Sequence, residues 1–321
     1  MVDTKEFKTI QEQIKILDDR GLKFKNRKKA ENLLKQYNYF DMINGFESLL
    51  LKKGVSEKTY EDVYFEDFKD LYFFDMKLKK YTLFKILEIE SRLRTSIAYN
   101  FASVYCQTEA DTMNYINPAF YRAPNPIDVH MMNTFNSFDL FRTTQYRADG
   151  SIRMKSFIDE LRDKKAYAKQ YMRPPFWVAI KSLPLGSLYY TYVFLDDVVK
   201  EKVLKDFGLN LSDASAFEQA IFILKEMRNQ CAHLELITRF KLKRAQKLNY
   251  FRDITNIAGL SHGEIFYIDV LKIFKLFGDV RDIKRVIASF YCIMNLKGRR
   301  KIAEKVISKM GRKNITVWMK L

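Results

Sequence analysis

The chain has 321 residues, 47% of them hydrophobic and 15% aromatic, enough for a substantial packed core and too apolar for a disordered chain. Lysine and arginine number 56 against 39 aspartates and glutamates, a formal net charge of +17. A surplus of that size, clustered along the chain, favours a polyanionic partner such as nucleic acid over mere solubility.

Thr9-Ile10-Gln11-Glu12 has the form of a capping box, and Ile10, Ile14 and Leu17 follow at helical spacing until Gly21 stops the helix. Arg27 to Tyr37 repeats the pattern with Ala30, Leu33, Leu34 and Tyr37 on one face. Tyr39 to Leu51 reads as a third helix, broken at Gly54. These are helical hairpins without the alternation of strands.

A long helix is expected from about Glu66 to Tyr105, with Leu83, Ile86, Leu93, Ile97, Phe101 and Val104 as its buried stripe. Glu90 falls on that stripe and Arg94 follows one turn later, the favourable order for an ion pair. The pair is either a boundary salt bridge or a polar pair held inward to orient a site or clamp a phosphate. From Gln107 to Arg173 the prolines Pro118, Pro124 and Pro126, set among asparagines, mark an irregular insertion, and His130 there lacks a partner at metal-ligand spacing.

Pro174-Pro175 starts a helical block in which Phe176, Trp177 and Ile180 are expected to pack. Pro184-Leu185-Gly186 turns the chain, Leu188 to Val199 continues, and Lys200 to Leu209 forms a short amphipathic piece. Ser215-Ala216-Phe217-Glu218 reads as the capping box of the next helix, whose stripe is Leu224, Met227, Cys231 and Leu234. At about 100° per residue, Arg228 lies on the flank of that stripe, with Asn229 and His233 opposite it. This polar motif therefore faces solvent or another protein surface.

Arg239, Lys241, Lys243, Arg244 and Lys247 form a basic run, and His262 looks like a turn or cap residue. Phe266 to Phe277 and Val280 to Met294 mark two helices ending at Gly278 and Gly298. Arg299, Arg300 and Lys301 open a last basic helix closed by Gly311. The expected fold is all-α. Its expected regions are an N-terminal helical part (1–65), a helical core (66–260, with the insertion at about 107–173) and a basic C-terminal part (261–321).

Three widely spaced cysteines (Cys106, Cys231, Cys292) argue against a disulfide framework, and no metal or cofactor motif is read. Without an apolar signal core or a run long enough to span a bilayer, a soluble cytoplasmic protein is expected.

An arginine, an amide and an imidazole within about two helical turns suit RNA cleavage by the substrate's own 2′-hydroxyl. Histidine titrates near neutral pH, and arginine stabilises charge on the phosphoryl oxygens. By itself the spacing is common.

Arg228-Asn229-Gln230-Cys231-Ala232-His233 resembles the Arg-x4–6-His signature of HEPN domains. The wider chain, from about 8 to 280, is similar to the Abi-like family of bacterial abortive-infection proteins of the AbiD/AbiF type. The similarity is carried by Gln13-Ile14-Lys15-Ile16-Leu17 with Arg20-Gly21-Leu22, then Tyr37-Asn38-Tyr39-Phe40, then Leu71-Tyr72-Phe73-Phe74-Asp75. Further pieces are Leu93-Arg94-Thr95-Ser96-Ile97-Ala98, Pro175-Phe176-Trp177 and the motif itself. Asp41 stands where the family's arginine is usual.

The resemblance implies a HEPN-type helical bundle, a homodimer or higher oligomer, and metal-independent ribonuclease activity in phage defence or as a toxin. It also implies catalytic roles for Arg228 and His233, supported by Asn229. Candidate RNA contacts are Arg94, Arg239, Lys243, Arg244, Arg299 and Arg300. Two other readings stay open: a non-catalytic protein that holds a structured small RNA, and a purely structural partner of another defence protein.

Overall fold

A computed structural model describes residues 6–243 and 264–321. Among them the fold is all-α, with only two two-stranded antiparallel ribbons. Its spine is helix α4 (Phe65–Tyr105), preceded by α1 (Ile10–Asp19), α2 (Arg27–Gln36), a π-helical turn (Phe40–Asn44) and α3 (Gly45–Leu50). The Thr9 capping box is present: the Glu12 amide donates to the Thr9 hydroxyl, and the Thr9 amide to the Glu12 carboxylate at 2.6 Å. The third expected helix runs as two pieces, the π turn inserting one extra residue per turn before Gly45.

At the start of α4 the Asp67 carboxylate accepts the Tyr64 amide at 2.8 Å. Leu71, Leu78, Ile86, Leu93, Ile97 and Phe101 are completely or almost completely buried along one side. The expected stripe is therefore present, and Leu83 and Val104 lie at its half-buried edges.

The insertion after α4 contains α5 (Val129–Asn136), a ribbon of β1 (Gln145–Tyr146) and β2 (Ile152–Met154), α6 (Phe157–Lys164) and α7 (Ala166–Lys169). It docks through aromatic rings: Tyr115 stacks on Phe176 at 4.7 Å, Tyr121 on Phe101 at 5.0 Å, and Phe135 meets Phe194 edge-on. The buried hydroxyls of Tyr115 and Tyr121 donate to the Pro174 and Tyr115 carbonyls, which removes the cost of burying them.

Helices α8 (Phe176–Ala179), α9 (Leu185–Phe194), α10 (Asp197–Asp206) and α11 (Ala214–Ala232) follow, and α8, α10 and α11 pack on α4. Three expectations are corrected here. Trp177 is 58% exposed, because the inward side of that short helix is taken by Phe176 and Ala179, with Ile180 just beyond it. The chain breaks at Leu195, where Asp196 caps α10 through the Val199 amide, so 188–199 is not one helix. Ser215 and Glu218 lie inside α11; the capping pair is Asn210 with Asp213, whose carboxylate accepts the Asn210 amide at 2.9 Å and starts a 3-10 turn that feeds the helix.

After β3 (Lys241–Lys243), which pairs with β4 (Glu264–Phe266), come α12 (Tyr267–Phe277), α13 (Arg281–Leu296), α14 (Arg300–Lys309) and α15 (Ile315–Lys320). The last was not anticipated; it carries Trp318 fully into the core, its indole N–H donating to the Arg312 carbonyl at 2.9 Å. The buried side chains form one contiguous core from Ile14 to Trp318.

Candidate functional site at the end of α11

Helix α11 presents Leu224, Met227 and Cys231 to the core, and burial pushes the Cys231 thiol up to about 12. At neutral pH that thiol is protonated and acts as a small core side chain, not a nucleophile. Arg228, Asn229 and Gln230 are half-buried on the flank, and Arg228 Nη1 donates to Asn229 Oδ1 at 3.4 Å.

The stripe does not extend to Leu234. The helix ends at Ala232, His233 is its C-cap, and Leu234 takes a left-handed φ of 59° and is 61% exposed. The Leu234 amide donates to the Cys231 carbonyl at 3.2 Å and the Glu235 amide to the Gln230 carbonyl at 3.0 Å. This is a Schellman closure with leucine where glycine is usual. Asn229 and His233 are joined through backbone, the His233 amide donating to the Asn229 carbonyl at 2.9 Å. The imidazole of His233 is exposed, without a hydrogen-bond partner among the described residues.

Helix α4 fixes this left-handed closure from beneath. Lys79 Nζ donates to the Leu234 carbonyl at 2.8 Å and lies 3.4 Å from Asp75 Oδ2. Asp75 Oδ1 accepts both the amide and the hydroxyl of Thr238 at 2.8 Å. Gln230 Nε2 donates to the Leu236 carbonyl at 3.0 Å. Both α4 side chains are buried, and burial raises the Asp75 carboxyl above the usual carboxylate range, against the lowering effect of Thr238 and Lys79. Sequence reasoning did not single out Asp75, Lys79 or Thr238. The available signal was an acid followed by a lysine one turn later, on the apolar side of a helix.

Arg228 and Asn229 open onto a groove of about 410 Å³, lined also by Lys225, by Thr134 of α5, by Ser137 and Asp139 just beyond it, and by Pro184 with the first residues of α9, which start that helix where the sequence suggested a turn. His233 stands beyond its lining, at the helix end.

The other candidates are dispersed. Arg94 bonds Glu90, which is buried, and donates to the Leu183 carbonyl at 2.7 Å, so the expected ion pair is present and ties α4 to the turn before α9. Arg239, exposed beside the motif loop, donates to Ser48 Oγ at 3.2 Å, and partial burial lowers its pKa. Lys243 lies in β3, its backbone paired with Glu264. Arg244, Lys247 and His262 lie outside the described residues. Arg299 is engaged by Asp62 at 2.8 Å and Asp67 at 3.3 Å and lies over the Tyr64 ring. Arg300, exposed, pairs with Glu304 at 2.9 Å. His130 is exposed on α5. Among the described residues there is no group of three or more His, Cys, Asp or Glu placed to hold a metal, and no helix long and apolar enough to cross a membrane.

The class defined by these features is an all-α protein with an Arg-x4-His motif closing a helix against a long central one. The profile of the Abi-like protein family matches residues 32–237, about two thirds of the chain, and the chain belongs to that family. No curated protein and no solved structure matches it.

Proposed function

We propose that this chain is a metal-independent endoribonuclease of HEPN type, of the AbiD/AbiF kind, acting in phage defence or as a ribonuclease toxin. Membership in the Abi-like protein family supports the defence role. The observation that carries the chemical reading is the motif's setting: Arg228 and Asn229 face an open groove, and the backbone behind His233 is locked by buried Asp75 and Lys79. Such a lock fixes where the imidazole's Cα sits while leaving the ring free to meet substrate.

In this reading an imidazole removes the 2′-hydroxyl proton, and the 2′-oxygen bonds to phosphorus as the P–O5′ bond breaks. A second imidazole protonates the leaving 5′-oxygen, giving a 2′,3′-cyclic phosphate and a 5′-hydroxyl. Arg228 stabilises the charge that develops on the non-bridging oxygens. Each chain brings one motif histidine, so the second comes from another copy, and a homodimer around a shared cleft is part of the proposal.

Growth and total-RNA integrity on induction of wild type beside His233→Ala and Arg228→Ala test the proposal. Fragmented RNA and arrest are expected with wild type alone, each variant losing roughly 10²-fold or more in rate. Intact RNA in the wild-type culture overturns it.

One observation favours a second reading. His233 lies outside the groove lining, and no group orients its ring among the described residues, whereas a general base is ordinarily held by a third group. The alternative is a non-catalytic protein that holds a structured small RNA; it predicts RNA copurifying equally with wild type and His233→Ala, with no cleavage by either.

A further inference from the structure

A groove larger than the one beside the motif lies elsewhere on the surface. It has a volume of about 580 Å³ and runs along the outer face of α4 from Ser91 to Ser103, against α8. At 1.5 Å per residue that stretch is about 18 Å long, room for several nucleotides. Two aromatic rings stand open in it, Trp177 at 58% and Tyr99 at 71% exposure. Two cations line it, Arg94 and Lys181, and among its described lining residues none is acidic. Arg94 is already paired with Glu90, whereas Lys181 has no carboxylate partner among the described residues, and large exposed rings beside such a cation are uncommon on a surface that meets only water.

We propose that this groove binds single-stranded RNA, with bases stacked on Trp177 and Tyr99 and the backbone held by Lys181 and the exposed edge of Arg94. The inference rests on the RNA reading above and adds a second contact region to it. Aromatic rings accept any base by its π-face, and a cationic wall follows the phosphates, which is how sequence-tolerant single-strand sites are built. Arg94 keeps 26% of its side chain exposed while Glu90 and the Leu183 carbonyl hold its guanidinium in place, so it is presented at little further entropic cost. The hydroxyls of Ser91, Thr95 and Ser103 line the same wall and suit sugar or phosphate oxygens.

The chain's two tryptophans make the test direct: Trp177 is exposed and Trp318 is fully buried. Full-length His233→Ala protein is titrated with a fluorescein-labelled 12-nucleotide oligouridine, read by anisotropy, and with unlabelled oligomer and uridine monophosphate, read by tryptophan emission. The oligomer is expected to quench emission, and uridine monophosphate to do so only at far higher concentration. Adding Trp177→Ala is expected to weaken oligomer binding roughly tenfold, with Trp177→Phe restoring most of it, while Trp318 emission reports an intact fold. Lys181→Glu is expected to weaken binding and flatten its salt dependence.

Unchanged affinity in Trp177→Ala and Lys181→Glu, with Arg228→Ala weakened, overturns the groove and leaves the RNA reading standing. An absence of binding in every protein, the parent included, overturns both. Equal quenching by the mononucleotide, or equal competition by oligoglutamate, overturns the assignment to an RNA strand.

Discussion

Asp75 and Lys79 illustrate how much of this site's order comes from outside its motif. Each is buried, and each bonds the segment that follows α11: Lys79 the carbonyl of left-handed Leu234, Asp75 both donors of Thr238. Removing one member leaves the other as an uncompensated buried charge. Asp75→Ala is therefore expected to lose roughly 3–5 kcal/mol in urea unfolding. Asp75→Ala combined with Lys79→Met should recover part of that loss, the remainder being the Thr238 amide and hydroxyl left without an acceptor, about 1–3 kcal/mol. Additive single losses in the double variant would mean that the two side chains are not coupled. The Glu90–Arg94 pair was legible from its spacing alone. The same spacing at Asp75–Lys79 carried no hint of what it holds, because Thr238 lies 163 residues further on.

At the scale of elements, the helices with strong local signals were legible: the Thr9 capping box, the glycine stop at Gly21, and the long apolar stripe of α4. Where two caps competed, local pattern misled. Ser215–Glu218 has the right letters, but the Asn210–Asp213 turn starts the chain into α11 before Ser215 is reached. The stripe of α11 projects onto Leu234 only if the helix continues, and the Schellman closure turns that residue outward.

A pair of glycines tests the turns flanking α14. Gly298 and Gly311 both have positive φ, 71° and 124°. A Cβ on Gly298 would meet open space, whereas on Gly311 it would lie 2.6 Å from Ile268 Cγ2 and 2.9 Å from Phe266 Cβ. Gly298→Ala is expected to cost about 1 kcal/mol from backbone conformation alone. Gly311→Ala is expected to cost about 1–3 kcal/mol and to shift Tm further, because the turn must move off α12. Equal Tm shifts would contradict the close approach.

For the whole molecule, the net charge of +17 gives the RNA reading a quantitative signature. Binding to single strands should weaken with salt by a log–log slope of about 0.7 for each phosphate neutralised. Arg239→Gln, next to the motif loop and exposed, is expected to reduce that slope by roughly 0.7. Arg299→Gln, whose charge Asp62 and Asp67 already engage, should lower Tm and barely change the slope. A slope indifferent to Arg239 would remove that residue from the RNA surface.

The sequence alone determined the all-α class, the course of α4 and the Glu90–Arg94 pair. Each of these is set by residues within a few turns of one another, where spacing translates directly into a shared face. Tertiary structure alone decided that α11 ends at Ala232 and Leu234 turns outward, that Asp75 and Lys79 hold the motif loop, that Trp177 stands exposed, and that Arg228 and Asn229 share a groove with α5 and the start of α9. Those outcomes depend on which distant surfaces meet, and the packing of the whole core around α4 selects them.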